Sequence, residues 1–218
     1  MHALCASSAR LSLSRLFFLI VIIIVAALGI CSPVFAQDQA QAVPGAPRPL
    51  ITQRVDETRL TVLKGNTHPL ARPEFDLGTA PATLPMDRML LVLKRSHDQE
   101  TALRKLLDDQ QDKNSPNYHK WLAPEDFGAQ FGPTDADMQT ITNWLQSHGF
   151  QVGSTKGRTV LEFSGSASQV QEAFHTTIHK YIVNGEQHWA NAIDPSIPAA
   201  LAPAVAGIDS LHDFPRKA

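Results

Sequence analysis

The chain has 218 residues, two cysteines, 15 prolines and a formal net charge of −2, with an isoelectric point near 6.5. That balance lacks the basic field that nucleic-acid binding requires, so no nucleic-acid partner is expected. Both cysteines, Cys5 and Cys31, fall in the first stretch of chain, so the remainder offers neither a disulfide framework nor a thiolate metal site and must be held by a hydrophobic core.

Residues 1–36 read as an export signal. Arg10 and Arg15 precede an apolar run over 16–30, and Val34-Phe35-Ala36 supplies a small-residue cleavage pattern before Gln37. An apolar run of about 15 residues is short against the roughly 20 that a spanning helix needs. A secreted or periplasmic location follows, with membrane contact only through this segment if it stays uncut. Residues 37–50, dominated by Gln, Ala, Pro and Gly, read as a disordered linker. Residues 51–85 mix short apolar patches with Pro and Gly and read as an extended arm on the domain that follows.

From residue 86 the pattern sharpens. Residues 89–93 (MLLVL) are an apolar run of strand length. Ser96 with Gln99 forms a capping box opening a helix with Leu103, Leu106 and Leu107 on one face, ending near 112–114. Thr134 with Asp137 is a weaker box before a helix carrying Met138, Ile141 and Leu145, which Gly149 closes. Residues 150–154 and 159–163 read as strands around a Lys156-Gly157 turn. Ser166 with Gln169 is a third box, before Val170, Ala173 and Phe174. Residues 177–183 read as a strand, and Asn184-Gly185 as a type I′ turn into a strand over 186–190. Strand, helices, strand, strand, helix, strand is the split βαβ, ferredoxin-like order: an α+β fold with an antiparallel sheet and helices on one face, over residues 86–211.

Certain motifs go further. The run SPNYHKWLAPEDFG at 115–128, followed by Phe131-Gly132-Pro133, resembles the signature of the activation domain (propeptide) of sedolisin or kumamolisin-type serine-carboxyl peptidases. The resemblance continues through GNTHPLA at 65–71, MLLVLKR at 89–95, WLQSHGF at 144–150, EFSG at 162–165, AFHT at 173–176 and WAN at 189–191. It implies a domain that binds a peptidase catalytic domain, assists its folding and blocks its cleft until acid processing. It also implies that residues 212–218 lead toward a peptidase domain. Two origins fit: the front of a longer precursor acting in cis, or a free-standing inhibitor or binding module acting in trans.

Little in the chain suggests catalysis of its own. The resembled family's peptidase domain places its serine in a Gly-Thr-Ser context, and this chain has no such tripeptide. Gly153-Ser154-Thr155 is the nearest arrangement and reads as turn chemistry. A secreted enzyme and an adhesion module are the rival readings, the first disfavoured by the missing triad and the second open because fold alone does not fix function. No cofactor is implied. His175 and His179 have metal-pair spacing on a helix, but the β-branched residues between them put the pair across a helix end and a strand. Histidines at a propeptide interface would gain charge as the pH falls through about 6–7 and could loosen it. The aromatic residues around 118–131 read either as a plug on the helices or as partner anchors. The candidate partner-binding residues are Tyr118, His119, Trp121, Trp189, Phe214 and Arg216.

Overall fold

The computed structural model describes residues 45–153 and 156–215. The proposed export signal, most of the proposed linker, Ser154, Thr155 and Arg216 lie outside the described residues. Among the described residues, four α-helices form: α1 (His97–Gln111), α2 (Pro124–Phe131), α3 (Asp135–Ser147) and α4 (Ala167–Phe174). The Ser96/Gln99 and Ser166/Gln169 boxes are reciprocal, each serine accepting from the N3 amide and each glutamine accepting from the N-cap amide. At α3, Thr134 accepts from the Asp137 amide. The buried Asp137 carboxylate accepts from the Thr134 hydroxyl and from the amides of Leu50 and Ile51. Gly149, at φ +79°, follows α3 as its left-handed terminator.

Among the described residues, nine strands pair into three sheets. β1 (Leu60–Val62) pairs with β8 (Ser196–Pro198). β2 (Asp76–Thr79), β6 (Ile178–Val183) and β7 (Glu186–Asn191) form a second sheet in the order β2-β6-β7. The third runs β4-β5-β3-β9, from β3 (Pro85–Leu93), β4 (Gln151–Val152), β5 (Val160–Ser166) and β9 (Val205–Asp209). All pairings are antiparallel. Asn184 and Gly185 both have positive φ between β6 and β7, as a type I′ turn demands.

The fold is α+β, but the strand assignment differs from the expectation. Residues 178–183 do not complete the sheet that holds β3 and β5; β9 does, beside β3. The β6–β7 hairpin serves a core of its own, burying Tyr181, Val183 and Ala190 with Phe214. The segment expected as a linker and arm also differs. Gly45 packs on α1, where a Cβ would meet that of Ala102 at 2.5 Å, and Leu50, Ile51 and Val55 lie on the main core. Glu57 accepts from the Trp144 indole at 3.1 Å and pairs with His148 at 2.8 Å. Within 51–85 the chain contributes β1, β2 and the start of β3, because those residues find partners distant in sequence.

The main core lies between the four-stranded sheet and α3 and α4. Met89, Leu91, Leu161 and Phe163 meet Ile141, Trp144, Leu145, Val170 and Phe174. Phe174 sits 5.3–5.9 Å from the rings of Trp144, Phe150 and Phe163. Helix α1 is not part of that layer: Leu103 is buried, whereas Leu107 is 52% exposed. The expected apolar stripe fails there because α1 packs on α2 and buries two polar side chains, Gln99 and Gln110, instead.

Candidate docking surface and exit segment

The two buried glutamines explain how an irregular stretch becomes a defined surface. Gln99 donates to the Gly132 carbonyl at 2.9 Å. The Gln110 side chain donates to the Lys120 carbonyl, and the Gln110 backbone carbonyl accepts the His119 amide at 3.2 Å. Buried amides are costly unless paired, so these bonds fix the 112–132 segment at residues 119–120 and at 132. His119 is held at φ +55°, and three rings stack in series. Tyr118 and His119 are 3.8 Å apart at 20°, and His119 and Trp121 6.0 Å apart at 23°. Trp121 is 64% exposed.

The expected aromatic cluster therefore divides. Tyr118, half-buried, and His119 and Trp121, both exposed, form the stack. Phe127 and Phe131 sit on α2, 5.5 Å apart, with Phe131 buried and the Arg95 guanidinium over the Phe127 ring. The helix went unrecognised in the sequence because Gly128 interrupts its pattern. That glycine is required: a Cβ there would meet the Lys156 carbonyl at 2.5 Å.

The other candidates meet at the C-terminal end. Residues 212–214, expected to lead away as a linker, lie along the outer edge of β7. Asn191 donates to the Leu211 carbonyl at 3.1 Å, and Asp213 to the Trp189 carbonyl at 3.2 Å. The Trp189 amide donates to the Asp213 carboxylate at 2.8 Å. Phe214 is only 5% exposed, its ring packed on its own chain. Trp189 is half-buried against the main core.

Three imidazoles line the Phe214 pocket. His68 stacks on the phenyl ring at 4.4 Å and 15°, His188 lies at 4.5 Å and His212 at 5.9 Å. His68 and His212 are themselves 4.4 Å apart. His188 faces Asp213 at 3.3 Å and Glu186 at 3.9 Å. His68 Nδ1 accepts the Leu70 amide at 3.2 Å, which requires an unprotonated nitrogen at that position. Burial, and then the nearby charge of His188, hold the His68 imidazole below its ordinary range. His68 and His212 were not among the candidate residues; the signal for them was the GNTHPLA motif and the histidine count, neither of which says which rings meet.

The remaining histidine pair is separated. His175 ends α4 in the left-handed region at φ +48°, and His179 on β6 pairs with Asp76 at 2.8 Å. Among the described residues, no group of three or more His, Cys, Asp or Glu is arranged to hold a metal ion, and no helix is long and apolar enough to cross a membrane.

The chain is similar to known proteins. It is 28% identical to sedolisin of Pseudomonas sp. (strain 101) over 118 residues, 54% of this chain and 20% of that protein. It is 29% identical to xanthomonalisin of Xanthomonas sp. (strain T-22) over 157 residues, 68% of this chain and 18% of that protein. Tripeptidyl-peptidase 1 of Canis lupus familiaris is 29% identical over 119 residues, 52% of this chain and 21% of that protein. The chain thus spans about a fifth of the length of these relatives. The family described as "Pro-kumamolisin, activation domain" matches residues 76–214, from β2 to the buried phenylalanine. Over those residues, the chain belongs to the Pro-kumamolisin activation domain family.

Proposed function

We propose that this chain is the propeptide of an exported sedolisin-type serine peptidase, binding the peptidase domain, assisting its folding and blocking its cleft. The observation that carries the reading is the family match over 76–214, the activation domain rather than the peptidase domain. The similarity to sedolisin and xanthomonalisin, each matched over a minor part of its length, supports the same partner. Tyr118, His119 and Trp121 supply the anchors for docking, since exposed, pre-positioned aromatic rings concentrate interface energy. Trp189 and Phe214 hold the exit segment, and Arg216, outside the described residues, is read from the sequence as a further partner contact. Export rests on the charged, apolar and small-residue order of residues 1–36.

The deciding experiment adds the purified full chain to the peptidase domain of a sedolisin-type enzyme near neutral pH. Saturable binding, inhibition and an improved refolding yield of the peptidase domain are expected. Absence of binding at every pH from about 7 down to about 3 would sink the reading. The chain alone should show no turnover of denatured protein over the same range, and sustained activity free of contaminants would overturn its non-catalytic role.

A further inference from the structure

We propose that the Asp194–Pro195 peptide bond is a guarded scission point: the 65–67 loop holds the Asp194 carboxylate away from it in the folded domain, and once that loop lets go the chain hydrolyses itself there, cutting off β8, β9 and the exit segment. The guarded bond is a property of this chain alone; its use in making the loss of a propeptide irreversible rests on the reading above.

The sequence holds one Asp-Pro dipeptide, at residues 194–195 between β7 and β8. Two features weaken that bond. The aspartate side chain can reach its own backbone carbonyl carbon by closing a small ring, and an intramolecular attack of this kind has a high effective concentration. The leaving group is the proline nitrogen, which carries no N–H in the chain and departs as a secondary amine. A carboxylate oxygen of Asp194 bonds to the Asp194 carbonyl carbon as the C–N bond to Pro195 breaks, and the nitrogen takes a proton from the acidic solvent. Water then opens the cyclic anhydride. The products are an Asp194 with two carboxyl groups and a Pro195 with a free amino terminus; one water is consumed and nothing is oxidised or reduced.

The fold withholds the nucleophile. One Asp194 oxygen accepts the Gly65 amide at 2.9 Å, and the other accepts the Asn66 amide at 2.8 Å and the Thr67 hydroxyl at 3.0 Å. Burial opposes the charge, but these donors outweigh it. The titratable residues flanking the loop are turned to other tasks: Lys64 is exposed, and His68 stacks on Phe214. The backbone on each side of the bond is also held. The Ile193 carbonyl accepts from the Thr176 hydroxyl at 2.7 Å and the Asn191 side chain at 2.9 Å, and the Pro195 carbonyl accepts the Leu63 amide at 2.8 Å. Attack requires the carboxylate to leave its donors and turn back on its own carbonyl, so scission proceeds from a locally opened state.

The position of the bond gives the cut its consequence. The severed piece supplies Ile197, Leu201, Val205, Ile208 and Leu211 to the main core and Phe214 to the smaller one. Strand β9, which pairs with β3, goes with it. A chain cut while open has lost one side of its sheet and cannot rebuild the domain as a single molecule.

Intact-mass measurement of the full chain, incubated at about pH 4 with and without guanidinium chloride, tests this. In denaturant the chain should divide between residues 194 and 195. Without denaturant, with folding verified by circular dichroism, scission should be roughly tenfold slower or more, because three hydrogen bonds to a carboxylate must first be lost. Asp194→Glu enlarges the ring, and Pro195→Ala removes the secondary-amine leaving group; each should suppress the cut in denaturant, where neither variant needs to fold. Thr67→Val should speed scission of the folded chain, and Thr67→Ser, which keeps the hydroxyl, should not. Equal parent rates with and without denaturant, a cut elsewhere, or a cut that persists in Asp194→Glu would each overturn the proposal, as would a folded Thr67→Val chain no faster than the parent. Failure of peptidase binding would leave these rates standing, so the two readings fail separately.

Discussion

The Asn66 side-chain carbonyl accepts the Ile208 amide at 2.6 Å, and the same oxygen stands 2.7 Å from the position a Cβ on residue 207 would take. The loop before β2 thus caps the free edge of β9, and only glycine at 207 leaves room for the cap. An unpaired strand edge invites pairing with other chains, and a side-chain cap is one way to blunt it.

Two substitutions test that relationship. Gly207→Ala forces the two groups apart and should cost about 1–3 kcal/mol. Asn66→Ala leaves the Ile208 amide without its acceptor, at a cost of about 1–3 kcal/mol. Because both act on one contact, the double variant should be less destabilised than the sum. Chemical denaturation of the four proteins gives the cycle; strict additivity would mean the two sites are independent.

Asp137 governs how the N-terminal arm lies on α3. Its carboxylate accepts from Leu50 and Ile51 and from the Thr134 hydroxyl, and the residue is buried. Asp137→Asn presents an NH2 group to donors and should cost about 1.5–3 kcal/mol, the range for hydrogen bonds to a charged group. Limited proteolysis should then cut within 45–57 well before the rest of the domain. Unchanged cleavage there would show that the arm is held by Leu50, Ile51 and Val55 alone.

Asp194 gives the domain a carboxylate-dependent stability in acid. Burial pushes its pKa up, but the amides of Gly65 and Asn66 and the Thr67 hydroxyl together outweigh that and hold it below the ordinary value. Its stabilisation is present above the unfolded value of about 3.9 and is lost as the pH falls through the depressed folded value. Asp194→Asn should lower stability at neutral pH and flatten its decline below about pH 4. Thermal melts of parent and variant across that window check it, and parallel curves would exclude Asp194 as a contributor.

The exposed stack separates docking from folding. Trp121→Ala removes a side chain that is 64% exposed, so stability should change by no more than about 0.5 kcal/mol. Affinity for a sedolisin-type peptidase domain should fall by roughly tenfold or more if Trp121 is an anchor. Titration calorimetry beside a melting curve distinguishes the outcomes: unchanged affinity removes the stack from the interface.

The local signals proved the more legible ones. The serine boxes at Ser96 and Ser166, the Gly149 terminator and the Asn184-Gly185 turn are written in residues close together in sequence, and each forms. Placement of the strands was less legible, because it depends on partners far along the chain. The β6–β7 hairpin has the right alternation for either sheet, and nothing local says that Phe214 will give it a separate core. Strand β9 was hidden by Gly207, whose reason is the distant Asn66. Helix α1 misled because its attachment uses Gln99 and Gln110, which an apolar-stripe reading counts as solvent-facing. Of the candidate residues, Tyr118, His119 and Trp121 come together, while Phe214 turns inward to rings that only tertiary structure could name.

The glutamine attachments of α1 have one more consequence. Primary amides carry no charge at any physiological acidity, so the bonds from Gln99 to Gly132 and from Gln110 to Lys120 are indifferent to protons. Titration of either glutamine cannot loosen these two bonds, so α1 keeps its hold on the carbonyls of residues 120 and 132 wherever carboxylates and imidazoles elsewhere in the domain change charge.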